Sequence, residues 1–399
     1  MKGLRRVLRS IDSRLGCAAL QLGNRLSRGR EKAITKPIAL ADVRRVLVIR
    51  LDEVGDMVLT SPFLRELRAA LPDARITLVV RPSIHNLVEL CPYVDSVLTF
   101  DTTSRSAFTA AARARRFVRA HLQSGPIDLA IVPRWDDDPR FASVLAFVSG
   151  ARHRVGYRER SLLTHVCDAG PEQHEVLRNL DLIRFMNAGV HTEQLELWLG
   201  ATDEHVAQDL LASHGVQPGG FLLGLAPGAA NARRRWPTSG FAEVAAWSLR
   251  THGGHVVVVG GEGDRLLGEH LRDTLGPSVI NAAGETTLRQ TAALLKACSL
   301  FVGNDSGPMH MAAASRIPVV EISCHPQGGA PNHNNSPLRF GPWGTRHVVL
   351  QPAAPLAPCT TACRAEVAHC IRGISASAVV AQAAGLLSPS EPLGDASTA

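Results

Sequence analysis

From residue 44 onward, short apolar runs alternate with stretches whose apolar residues recur every three or four positions. "RRVLVIR" (44–50) holds four consecutive apolar residues and reads as a strand covered on both faces. "RITLVVRP", "VDSVLTF" and "IDLAIVPR" repeat that signature. Between them, "DMVLTSPFLRELRAALP", "SIHNLVELCP" and "RSAFTAAARARRFVRAHLQS" show helical spacing, with Pro62 near the beginning of the first. A further strand and helix are expected before residue 195. The pattern then restarts. "FLLGLAPGA", "HVVVVGG", "SVINAAG", "LFVGND" and "PVVEIS" read as strands. "TSGFAEVAAWSLRTHG", "RLLGEHLRDTLG", "TLRQTAALLKAC" and "GPMHMAAASR" read as the helices between them. Strands separated by helices predict parallel, doubly wound sheets, so the chain is α/β with two units in tandem. The expected divisions are a basic segment over 1–40, a first unit over 41–195, a second over 196–375 and a turn-rich tail over 376–399. The joint between the units is expected near 196–218.

Ligands of open parallel sheets bind beyond the carboxyl ends of the strands. Three loops at such ends carry chemistry. The first, "RLDEVGDMVLTSP", gathers Asp52, Glu53 and Asp56 around Gly55. Asp56 sits where a helix should begin, so it is either a helix-terminal acid or a general base aimed at a ligand. The second, "PGAANARRRWP", places Arg233, Arg234 and Arg235 directly before Trp236, and an arginine fork suits a phosphate. In the third, "FVGNDSGPMHMAAA", Asp305 or Ser306 is placed to cap a helix and Pro308 suits its first turn. Gly307 permits close approach to the open N–H groups, a phosphate-binding arrangement, and His310 lies in the same turn.

Charge alters the picture at one end only. Residues 1–30 hold eight arginines and lysines against Asp12, a net +7 that equals the formal charge of the whole chain. The body is thus neutral by count, which argues against a nucleic-acid partner. Leu4, Leu8, Ile11, Leu15, Leu22 and Leu26 form one helical stripe in that basic segment. It fits either a helix lying on an anionic membrane surface or one packed on its own unit. No stretch approaches the ~20 apolar residues of a membrane span, so a cytoplasmic protein, peripheral on the inner-membrane cytosolic face, is expected.

The absence of G-x-x-x-x-G-K-[ST] excludes a P-loop. "VVVVGGEGDRLL" has Leu266 where a dinucleotide turn needs its third glycine. Cys359, Cys363, His369 and Cys370 form a C-x3-C-x5-H-C cluster near the end. Because adjacent His369 and Cys370 would be poorly paired as ligands on one helix, buried thiols and no metal are expected.

The three loops together resemble glycosyltransferase family 9, the heptosyltransferase-like enzymes of lipopolysaccharide biosynthesis, from about residue 44 to 375. The resemblance implies a GT-B fold with two Rossmann-like domains facing across a cleft, acceptor on the first and nucleotide-sugar on the second. By position in the motifs, Asp56 matches the catalytic base and Arg234 the residue that meets the donor diphosphate. Asp305, Ser306, Gly307 and His310 match the donor motif, Asp264 a ribose contact and Thr286 a base contact. Arg81, Arg134 and Arg154, with Arg152 beside them, are candidates for holding an acidic acceptor. The implied reaction is inverting transfer of a sugar, heptose first, from an ADP-heptose-like donor to a lipopolysaccharide core or other lipid-linked glycan, with no cofactor. A nucleotide-sugar epimerase and a catalytically idle carbohydrate-binding or assembly protein are the alternatives.

Overall fold

A computed structural model of the chain describes residues 37–101, 107–135, 141–157, 162–361 and 365–388. The basic segment up to residue 36, Cys363 and the tail beyond 388 therefore lie outside the described residues. The chain divides into two compact units, Met1–Gln194 and Leu195–Ala399.

In the first unit, β1 (Arg45–Ile49), β2 (Arg75–Val80), β3 (Ser96–Thr99), β4 (Leu129–Ile131), β5 (His153–Gly156) and β6 (His165–Val166) form one parallel sheet. Its strand order is β3-β2-β1-β4-β5-β6. β1 lies centrally, paired with β2 on one side and β4 on the other. That position explains its unbroken apolar run: Val46, Leu47, Val48 and Ile49 are at most 1% exposed. The helices are α1 (Val54–Val58), α2 (Ser61–Ala70), α3 (His85–Val88), α4 (Ala107–His121), α5 (Ala142–Val148) and α6 (Glu175–Phe185). The single helix expected over 56–72 is two. Pro62 has no N–H to give the carbonyl of Val58, and that carbonyl accepts the Ser61 hydroxyl at 2.7 Å instead. The chain bends there, and α1 remains a short, separate mount for Asp56.

The second unit repeats the plan. It contains α7 (Ala201–Ser213), β7 (Leu222–Ala226), α8 (Thr238–His252), β8 (His255–Val258), α9 (Arg265–Leu275), β9 (Val279–Asn281) and α10 (Leu288–Lys296). These are followed by β10 (Leu300–Asn304), α11 (Gly307–Ala314), β11 (Val319–Ile322), α12 (Pro337–Phe340), β12 (His347–Leu350) and α13 (Ala376–Leu387). The sheet is again parallel, in the order β12-β11-β10-β7-β8-β9. Counted within its own unit, this is the same succession as in the first sheet, the Rossmann order. In each sheet the strand order reverses between the unit's first and fourth strands: β1 and β4, then β7 and β10.

Two stretches read as joint and tail hold helices. The stretch 196–218 is mostly helix rather than joint. α7 is tied to α10 by Asp203–Arg289 at 2.7 Å and Glu204–Lys296 at 3.0 Å. The tail expected from 376 begins as α13, because Val379, Ala383 and Leu386 are buried in the same apolar cluster as Leu223, Val302 and Ile322. β12 was also unexpected; it is a half-exposed strand with a weak apolar signal. No helix among the described residues is long and apolar enough to cross a membrane.

Candidate functional site

The functional loops of the first unit meet at the reversal between β1 and β4. Arg50, the last residue of the "RRVLVIR" stretch, is 2% exposed and pairs with two of the three carboxylates that follow it, Asp52 and Asp56. Its Nε lies 3.2 Å from Asp52 Oδ2 and its Nη2 3.3 Å from Asp56 Oδ1, while Nη1 donates to the Pro133 carbonyl beyond β4. Arg134, one residue further along, pairs with the other oxygen of buried Asp52. Glu53 bonds Arg81, which follows β2, at 2.7 Å. Three arginines from three strand ends thus meet three acids from one loop. This matters because an uncompensated buried ion is costly. Asp52 and Glu53 order the loop.

Asp56 occupies the third position of α1, where its Oδ2 accepts the Glu53 N–H at 3.1 Å. Its side chain is 22% exposed. The helix carrying it is anchored from behind. Thr60 Oγ1 donates to the Asp56 carbonyl at 2.7 Å, and Asn179 of α6 donates to the Leu59 carbonyl at 3.1 Å. The carboxylate is held by an arginine and an amide on a rigid mount, which is the preparation a positioned proton acceptor needs.

The acceptor candidates separate. Arg81 and Arg134 border this cluster. Arg154 does not: it is 8% exposed, its Nε donates to the Leu162 carbonyl and its Nη1 to the Ala151 carbonyl. It secures the chain between β5 and β6, so the expectation that it binds acceptor is corrected. Arg154 lies within β5.

In the second unit the loops after β7 and β10 meet at the corresponding reversal. Asn304, fully buried at the end of β10, joins them. Its Oδ1 accepts the Trp236 N–H at 3.0 Å, and its Nδ2 donates to the Pro227 carbonyl at 2.8 Å. Of the three consecutive arginines, Arg234 reaches Asp305, with Nη1 3.1 Å from Oδ2, and its Nη2 donates to the Asn334 carbonyl at 3.3 Å. Arg235 turns the other way, donating to the Ala229 carbonyl and facing Asp264 at 3.8 Å.

Asp264 fills the space beside two glycines. A Cβ on Gly228 would lie 2.2 Å from its Cγ, and one on Gly260 2.8 Å from its Oδ2. Those glycines let the turns after β7 and β8 approach the carboxylate, which is also fixed by the Gly261 N–H at 3.1 Å. Ser306 is the N-cap of α11 with Gly307 and Pro308 opening the helix; its hydroxyl turns back to the Asn304 carbonyl rather than capping. Asp305 and His310 are 5% and 4% exposed, so both lie deeper than a surface loop would hold them. Thr286 bonds Thr291 Oγ1 at 2.8 Å beside the start of α10.

Reading the sequence missed two features. Glu321 on β11 is 1% exposed, and its register partner is Gly303, two residues before Asp305. Burial, reinforced by the Asp305 carboxylate, raises its pKa well above the ordinary carboxylate value despite Arg234 nearby. A single acid inside "PVVEIS" gives no hint of this. The second feature is the stacked pair His325 and His333, with ring centroids 5.5 Å apart. Burial, His325 and the arginines at 233, 234 and 339 push His333 down to about 4. Arg339 pins this segment by donating to the Asn332 carbonyl and the Asn334 side chain, both at 3.0 Å. The stretch 325–339 reaches the Arg234 loop through the Asn334 carbonyl.

The model for glycosyltransferase family 9 (heptosyltransferase) matches residues 138–367, more than half of the chain. Lipopolysaccharide heptosyltransferase 2 of Escherichia coli K12 is 27% identical over 304 residues, covering 70% of this chain and 82% of that protein. Among solved structures, a family 9 glycosyltransferase from Veillonella parvula superposes with a TM-score of 0.72. It is 24% identical, with 86% of this chain and 97% of that one covered. The E. coli ADP-heptose lps heptosyltransferase II gives 0.64 at 22% identity, covering 86% and 98%. These likenesses carry the GT-B fold class that the resemblance implied, and they do not favour the epimerase or the idle binding protein. With the reversal point of each sheet furnished by the motif residues and the family model spanning most of the second unit, the chain belongs to glycosyltransferase family 9 and is a glycosyltransferase.

Proposed function

We propose that this enzyme transfers heptose, with inversion, from an ADP-heptose-like donor to a lipopolysaccharide core or a related lipid-linked glycan. The observation that carries the reading is the furnishing of the two reversal points. The first presents a mounted carboxylate, Asp56, held by Arg50. The second presents a cation, Arg234, beside the opening turn of α11. The names of the relatives, lipopolysaccharide and lipooligosaccharide heptosyltransferases, supply the sugar and the acceptor class.

The chemistry follows from those groups. Asp56 accepts the proton of an acceptor hydroxyl as that oxygen attacks the anomeric carbon, opposite the departing diphosphate. Arg234 and the N–H groups at Ser306 and Gly307 meet the charge that gathers on the leaving group. Asp264 addresses the ribose and Thr286 the base. Arg81 and Arg134 offer cations to an acidic acceptor. A peripheral position on an anionic membrane face, through the basic segment, would bring the enzyme to a lipid-borne substrate.

A thermal-shift screen of ADP, ADP-heptose, UDP-glucose and GDP-mannose tests the donor, since a ligand stabilises by RT ln(1 + [L]/Kd). Stabilisation by the adenine nucleotides alone, with heptose incorporated into heptose-deficient lipopolysaccharide, supports the reading. Stabilisation by a uridine or guanosine nucleotide alone overturns the donor. Absence of heptose transfer to that acceptor with ADP-heptose bound overturns the acceptor.

A further inference from the structure

Away from both reversal points, three soft ligands converge in the second unit. Sγ of Cys359, Sγ of Cys370 and one ring nitrogen of His369 all lie within 4.8 Å of one another. His369 Nδ1 is 3.3 Å from Cys370 Sγ and 3.8 Å from Cys359 Sγ. Tetrahedral zinc with Zn–S near 2.3 Å and Zn–N near 2.05 Å separates its sulfur and nitrogen ligands by about 3.5 Å. The two distances bracket that value.

The objection raised by the sequence, that neighbours on one helix diverge, does not hold. His369 has φ −134° and ψ −92°, outside any helix, and Cys370 opens the short 3-10 turn Cys370–Gly373. The break between them turns both side chains to one point. The surroundings also suit a metal. Cys359 and Cys370 are 4% and 2% exposed within the apolar cluster that holds Ile371 and Ile374. The Leu356 N–H donates to Cys370 Sγ at 3.4 Å, a bond that favours a thiolate. Two thiolates and an imidazole select a thiophilic divalent ion of the zinc class, and binding would release the two thiol protons to solvent.

We propose that Cys359, His369 and Cys370 bind one such ion, and that it staples the segment after β12 to the turn that precedes α13. This position has a structural consequence. The carbonyl of Ile374, just past the turn, accepts the Trp236 indole N–H at 2.9 Å, and Trp236 ends the arginine loop. The staple therefore steadies that loop from below, whatever nucleotide the loop serves.

The test is elemental analysis of the full chain, purified under reducing conditions and again after reconstitution with Zn²⁺ and desalting. About one equivalent of zinc or iron per chain is expected, with His369→Ala and Cys370→Ser each retaining less than a fifth of it. Because a variant could misfold, the wild-type protein is also treated with a strong chelator. Its Tm should fall and should recover on addition of Zn²⁺ but not Mg²⁺. Less than a tenth of an equivalent in the folded wild-type protein after reconstitution overturns the proposal. So does full metal content in Cys370→Ser, which would place the ion elsewhere, or a metal-depleted protein whose Tm is unchanged.

Discussion

Arg234 and Asp305 meet at 3.1 Å, joining the loop after β7 to the loop after β10. The first unit has a counterpart in Arg134 and Asp52, which join the strand ends after β4 and β1. In both sheets an arginine from one side of the reversal point pairs with a nearly buried acid from the other. Each pair ties two loops across the reversal point, alongside the bonds that Asn304 and Arg50 make there. Each also leaves an ion that is costly to orphan.

Asp56→Asn should abolish most transfer while leaving the fold intact. Loss of a positioned proton acceptor lowers kcat by about 10²- to 10⁴-fold. Nucleotide-induced stabilisation in a thermal-shift assay should match wild type, because Asp56 lies in the first unit and the residues proposed to hold the nucleotide lie in the second. A variant with undiminished kcat would remove Asp56 from the mechanism.

Arg154 and Arg81 should behave oppositely. Arg154→Met leaves the buried carbonyls of Leu162 and Ala151 without their donor, at about 1–3 kcal/mol for each unsatisfied group. A lower Tm with unchanged acceptor KM is expected. Arg81→Ala breaks a half-exposed pair with Glu53 worth at most about 1 kcal/mol. It should raise acceptor KM with little change in Tm. Steady-state kinetics on both variants, set beside melting curves, decide the matter.

Glu321 makes stability depend on pH in a definite direction. Its pKa is raised above the ordinary 4.5 by burial first and by Asp305 second. The native state therefore holds a proton that the unfolded chain gives up above pH 4.5, and stability declines as pH rises through that window. Glu321→Gln has no proton to lose. Its Tm relative to wild type should increase as pH rises above 4.5, and parallel melting profiles for the two proteins would contradict this account.

Gly228→Ala tests the cradle around Asp264. The added methyl would sit 2.2 Å from the Asp264 carboxyl carbon, so the carboxylate must move. If Asp264 holds the donor ribose, donor KM should rise on the order of tenfold, equivalent to about 1.4 kcal/mol. Acceptor KM should stay constant. A donor KM within twofold of wild type would separate Asp264 from the nucleotide.

The strands and most helices could be read from the chain because a doubly wound sheet buries its central strands on both faces. Val46 to Ile49 and Val256 to Val259 report that burial directly. Elements with weaker apolar contrast escaped. α7 buries chiefly Ala207 and Leu211 and depends on ion pairs to α10. The motif loops were visible, but the pairings within them were not. Nothing in "RRVLVIR" says that Arg50 will reach Pro133, because that contact requires β4 to lie beside β1. Likewise nothing beside Arg154 in the chain says that the Leu162 and Ala151 carbonyls will take up its guanidinium. Glu321 was invisible for the same reason: its environment is made by residues distant in sequence.

The hydrogen bond from the Trp236 indole to the Ile374 carbonyl has a practical corollary. Trp236 is 3% exposed, sits edge-on to Phe241 and is the residue directly after the three arginines. Its emission should thus be an intrinsic optical gauge of that loop. A shift toward longer wavelengths would signal water reaching the ring. Titrating nucleotide while following this fluorophore, with Trp198, Trp247 and Trp343 replaced by phenylalanine to quiet the background in the same unit, would time the loop's response without an attached dye.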